Sequence, residues 1–136
     1  MIQRIQSVWL FLASVLAFLM LKLSFYTGTH LPDNQYDQLT GTDTMSLMIA
    51  TIGLGLLTFI TIFLYKTRKV QLRLVIVALL LELLLIFLFY RETQNFSQGA
   101  FSITAALHVF IIAGLFLAAR GIRKDEKLVR STDRLR

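Results

Sequence analysis

Four long apolar runs divide the chain: Ile5–Tyr26, Met45–Tyr65, Leu72–Tyr90 and Phe101–Ala119, with polar connections between them. Crossing a hydrocarbon core as a helix takes about 20 mostly apolar residues, and each run meets or approaches that length. None has the one-sided stripe of a soluble amphipathic helix; all are apolar nearly all round, as lipid-facing helices are. The short alternating segments of an outer-membrane barrel are not seen. The pattern predicts an all-α fold: a membrane-embedded four-helix bundle over residues 1–119, then a basic cytoplasmic helical tail over residues 120–136. The first run exceeds the roughly 7–15-residue apolar stretch of a signal peptide, and no small-x-small cleavage site follows it, so it is read as a retained helix.

The connections set the orientation. The N-terminus carries Arg4, the second connection Lys66, Arg68, Lys69 and Arg73, and the tail Arg120, Arg123, Lys124, Lys127, Arg130, Arg134 and Arg136. Those three regions share one side and hold twelve of the fourteen basic residues; only Lys22 and Arg91 fall on the other. Cationic flanks stay cytoplasmic, so both termini are expected on the cytoplasmic side of the membrane. Trp9 and Tyr65 near one boundary, with Tyr26 and Tyr90 near the other, suit interfacial aromatic belts. The first outer connection, Thr27–Thr44, is polar and mildly acidic through Asp33, Asp37 and Asp43. Pro32-Asp33-Asn34 reads as a turn, so a small cap or hairpin is expected there.

Composition sharpens this picture. The chain is 56% hydrophobic and only 16% charged, against about one-quarter charged in soluble domains. Its 136 residues suit one domain and could not hide so much apolar surface in a soluble core. With no cysteine, disulfides, thiolate metal sites and thiol catalysis are excluded. The only histidines are His30, in a polar connection, and His108, which disfavours haem held by paired histidines; no metal or cofactor is expected. The net charge of +6 sits beside apolar runs, so the anionic inner leaflet, not nucleic acid, is the expected partner.

Glu82 stands near the middle of the third run, where a charge costs at least about 2.5–3.5 kcal/mol. His108 lies at a comparable depth in the fourth: each is roughly 15 Å from its inner end at about 1.5 Å per residue. A Glu82–His108 hydrogen bond or ion pair near the midplane is therefore expected, since consecutive antiparallel helices are commonly neighbours. The structural reading, two polar groups satisfying each other and fixing register, ranks ahead of a proton-coupled site. Small residues at close-packing spacing occur as Ala13 and Ala17 in the first run, Thr51, Gly55 and Thr58 in the second, and Gly114 and Ala118 in the fourth. They predict intramolecular packing, with a homo-oligomer seam as the alternative.

The opening Met1-Ile2-Gln3-Arg4-Ile5-Gln6 and the closing run Ile122–Arg136 (IRKDEKLVRSTDRLR) resemble an uncharacterised family of small four-helix membrane proteins common in Bacteroidetes. The resemblance covers essentially the whole chain. It implies an inner-membrane location and no particular activity or catalytic residues. No phosphate-binding glycine loop, metal cluster or Ser/His/Asp set is visible. The expected function is non-enzymatic: a scaffold or accessory subunit that docks a cytoplasmic or membrane protein partner through its tail, where acids mixed among the bases exceed what lipid attraction needs. The alternative is a small oligomeric proton-coupled transporter using Glu82 and His108.

Overall fold

The computed structural model describes residues 2–31 and 33–135, with side chains from Ile5 onward. Pro32 of the expected turn, Arg136 of the basic set and the side chain of Arg4 lie outside the described residues. The chain runs α1 (Ile2–Leu19), β1 (Tyr26–His30), β2 (Gln35–Leu39), α2 (Met45–Phe63), α3 (Arg68–Thr93), β3 (Phe96–Phe101), a 3-10 turn (Ile103–Ala106) and α4 (Leu107–Arg134). The helices pack in ring order, α1 on α2, α2 on α3, α3 on α4 and α4 back on α1. Cross-helix contacts fix antiparallel neighbours. Gly121 lies against Gln6 while Gly114 lies against Trp9 and Ala13. Arg68 pairs with Asp125 while Glu82 meets His108.

The core is a column of Leu10, Leu47, Leu54, Val75, Leu85, Ile111, Leu115 and Ile122, each with no exposed surface. Three of the four helical stretches, Met45–Phe63, Arg68–Thr93 and Ile103–Arg134, are long and apolar enough to cross a membrane; the apolar stretch Ile5–Leu19 is shorter. Buried hydroxyls on α2 satisfy themselves: Thr51 donates to the Leu47 carbonyl (2.7 Å), Thr58 to Leu54 (2.9 Å) and Thr61 to Leu57 (2.6 Å). Such back-bonds let a helix bury polar side chains where no water can serve them.

The all-α expectation needs correction, because a three-stranded antiparallel sheet in the order β2-β1-β3 caps one end of the helices. The first apolar run does not stay helical to Tyr26. After Leu19 it unwinds through overlapping turns to Leu23, and Phe25 then donates to the Leu39 carbonyl at 2.7 Å. Tyr26-Thr27-Gly28-Thr29 is aromatic and β-branched, which favours a strand once partners are at hand. The hairpin turns at Asn34, the one non-glycine residue with positive φ (53°) among those described. The start of the fourth helix moves as well: Phe101 closes β3, and the helix begins at Leu107 and continues without a break past Arg120 to Arg134. Phe25 ties sheet to helices, stacking on Phe89 at 4.7 Å and meeting Phe101 edge-on at 5.6 Å.

Candidate functional site: a buried Glu–His pair and a basic helical extension

Glu82 reaches inward from the middle of α3 and His108 from the first turn of α4, and neither exposes more than 2% of its surface. Nδ1 of His108 lies 2.6 Å from Oε1 of Glu82. Because α4 starts at Leu107, later than the apolar run, His108 stands at the sheet end of that helix and not near its middle. Phe25 and Phe89 stand edge-on to the imidazole at 5.4 and 5.3 Å, forming an aromatic roof between the pair and the sheet. At that separation the two atoms share a hydrogen bond whose donor depends on the imidazole tautomer. The remaining atoms, Oε2 of Glu82 and Nε2 of His108, are buried without a hydrogen-bond partner among the described residues. Each such atom costs about 1–3 kcal/mol in lost hydration.

The small residues divide by role. Gly114 faces Ala13 and the Trp9 carbonyl, so α1 and α4 approach closely there. Gly55 faces the Phe18 ring, and its carbonyl accepts from Ser14 at 3.0 Å. Ala17 and Ala118 are fully buried, whereas the hydroxyls of Thr51 and Thr58 donate to carbonyls of α2 itself. All these contacts are within one chain. Sequence patterns had not marked Ser14, Phe25, Phe89 or Gln71, whose side-chain amide donates to the Thr61 carbonyl at 3.1 Å. Their signal was weak, since a lone polar residue or one more phenylalanine in an apolar run does not say which way it points.

At the end opposite the sheet, the α2–α3 connection meets α4. Arg68 Nε lies 2.8 Å from Asp125 Oδ2, close but not aligned as a hydrogen bond, so the contact acts as a charge pair. Glu126 and Arg130 pair at 3.1 Å one turn apart. Arg120, Arg123, Lys124, Lys127, Arg130 and Arg134 are all exposed. Five of them (Arg120, Arg123, Lys127, Arg130, Arg134) follow one another at steps of three and four, which puts them on one face of α4. That spacing is legible in the sequence and is the clearest signal in the extension. No cluster of three or more metal-ligating side chains occurs among the described residues.

No curated protein and no solved structure matches the chain. A family model, described as Domain of unknown function (DUF4293), matches residues 2–135, nearly the whole length, and the chain therefore belongs to that family.

Proposed function

We propose that this protein is a non-enzymatic, multi-pass protein of a bacterial inner membrane, with both termini cytoplasmic, that docks a partner through the basic extension of α4. Membrane embedding is supported by the outward apolar surface: Val8, Phe11, Ile49, Phe63, Leu80, Phe87 and Phe110 are each more than half exposed. A water-soluble monomer rarely shows apolar area on that scale. The proposed orientation is supported by the basic residues, which gather where the α2–α3 connection and the end of α4 meet, opposite the sheet.

The observation that carries the docking role is the shape of α4. Residues 127–135 are exposed throughout, yet the helix runs on to Arg134 with its cations on one face. A helical end exposed in this way, with Leu128 and Val129 uncovered beside the cations, is suited to packing on a partner. The test is a photo-crosslinking residue placed at Lys127 or Ser131 in cells. A discrete adduct with one protein is expected, lost when Arg130 and Arg134 are both changed to Glu. Adducts unaltered by that charge reversal, or adducts with lipid alone, would sink the docking role.

A second reading, proton-coupled transport by an oligomer, is favoured by one observation: the unpartnered Oε2 of Glu82 and Nε2 of His108. It ranks below the first because Phe25 and Phe89 cover the pair on the sheet side.

A further inference from the structure

A groove of about 250 Å³ runs between α3 and α4 on the outward surface. Ile76, Leu79, Phe116 and Ala119 form its walls, and Arg120 and Arg123 close the end away from the sheet. We propose that this groove binds one anionic glycerophospholipid, an acyl chain lying along Ile76, Leu79 and Phe116 and the phosphate held by Arg120 and Arg123. The inference rests on the membrane orientation proposed above.

Three observations carry it. The order of chemistry along the groove is that of a phospholipid. The Arg68–Asp125 contact sets the register of the two helices. From it, Arg120 stands about 7 Å up α4, while Ile76 and Leu79 stand about 12 and 16 Å up α3. The cations thus lie below the apolar walls, at the depth where headgroups meet the acyl region. Second, neither Arg120 nor Arg123 has a carboxylate partner among the described residues, while Arg68 and Arg130 each have one. Two free guanidiniums three residues apart offer the fork geometry that suits phosphate oxygens. Third, Arg73 precedes Ile76 by three residues on the same face of α3. The surrounding potential therefore favours a net-anionic headgroup over a zwitterionic one, as basic pockets between helices on the cytoplasmic side do. An acidic peptide would be served by Lys127, Arg130 and Arg134 further out, and has no use for walls at acyl depth.

The test is native mass spectrometry of the full chain in mild detergent, with equimolar phosphatidylglycerol and phosphatidylcholine. Wild type is expected to retain phosphatidylglycerol with about tenfold preference, and Arg120→Gln/Arg123→Gln to bring that preference within about twofold. Both residues are exposed, and an unchanged helical circular dichroism spectrum verifies that the variant folds. Arg130→Gln/Arg134→Gln should leave the preference intact, Phe116→Ala should weaken retention of both lipids, and free glycerol phosphate should not displace the bound lipid. Equal retention of the two lipids by wild type overturns the site. So does displacement by glycerol phosphate, or an equal loss in Arg130→Gln/Arg134→Gln, which would mark general attraction to the extension, as for an acidic peptide. A chain that stays dissolved without detergent and takes up neither lipid refutes the membrane orientation itself; one that needs detergent but shows no preference refutes only the groove.

Discussion

Glu82→Leu alone is expected to destabilise the folded chain by about 2 kcal/mol, and Glu82→Leu/His108→Leu to recover most of that loss. The single change leaves a buried imidazole with no acceptor or donor opposite it, between Phe25 and Phe89. His108→Leu has the converse effect, stranding a carboxyl group in the core. The double change removes both desolvation costs and fills the space with apolar volume. The figure is set below the 3–5 kcal/mol typical of broken buried pairs in soluble proteins, because unfolded helices that stay in lipid or detergent find other partners. A double-mutant cycle of unfolding in micelles measures it. A coupling below about 0.5 kcal/mol would mean the two groups do not support each other. The pair also separates the two functional readings. A structural clasp predicts that vesicles holding wild type or Glu82→Gln keep an imposed pH gradient alike, whereas a proton-coupled carrier predicts that only wild type dissipates it.

Gly28→Val should cost about 3 kcal/mol locally and undo the sheet while the helices persist. Gly28 lies in the central strand, opposite Gly99 of β3. A Cβ there would stand 2.7 Å from the Gly99 Cα and still closer to the Gln98 carbonyl oxygen. Both neighbours are backbone, so neither can rotate away, and β1 must part from β3. Hydrogen exchange should show lost protection in 26–30 and 96–101 with that in 75–90 retained. Gly53 is the contrast: a Cβ there meets nothing within 4 Å, so Gly53→Ala should stabilise α2 by up to about 1 kcal/mol through helix propensity. Undiminished protection in β1 and β3 of Gly28→Val would contradict the packing described.

The helices were legible because apolar run length is a strong signal, and Met45–Tyr65 and Leu72–Tyr90 fall within a few residues of α2 and α3. Of the sheet only the hairpin in Thr27–Thr44 was legible, where β1 pairs with β2; β3 and the early end of the first helix were not, for two reasons. Tyr26 and Phe101 extend apolar runs without a break in composition, so hydropathy assigned them to helices. The strands also lie far apart in sequence, β3 pairing with β1 across two helices, and nothing local in Phe96-Ser97-Gln98-Gly99 announces that partner. The Glu82–His108 contact could be anticipated because two polar side chains in apolar runs had few other partners to find. Phe25 and Phe89 could not, since phenylalanine in an apolar run is ordinary. The cationic face of α4 went unread, although steps of three and four between Arg120, Arg123, Lys127, Arg130 and Arg134 mark it in the sequence.

In the proposed orientation, apolar helices cross a bilayer with the basic end inside the cell. Single cysteines introduced at Gln38 or Ser97 on the sheet, or at Thr67 or Ser131 at the opposite end, face no native background, because the chain has no cysteine. In intact spheroplasts, an impermeant maleimide should label Gln38→Cys and Ser97→Cys at once, and Thr67→Cys and Ser131→Cys only after the membrane is opened. Labelling of Thr67→Cys and Ser131→Cys in closed spheroplasts with the sheet positions silent, or recovery of the chain in the soluble fraction, would contradict it.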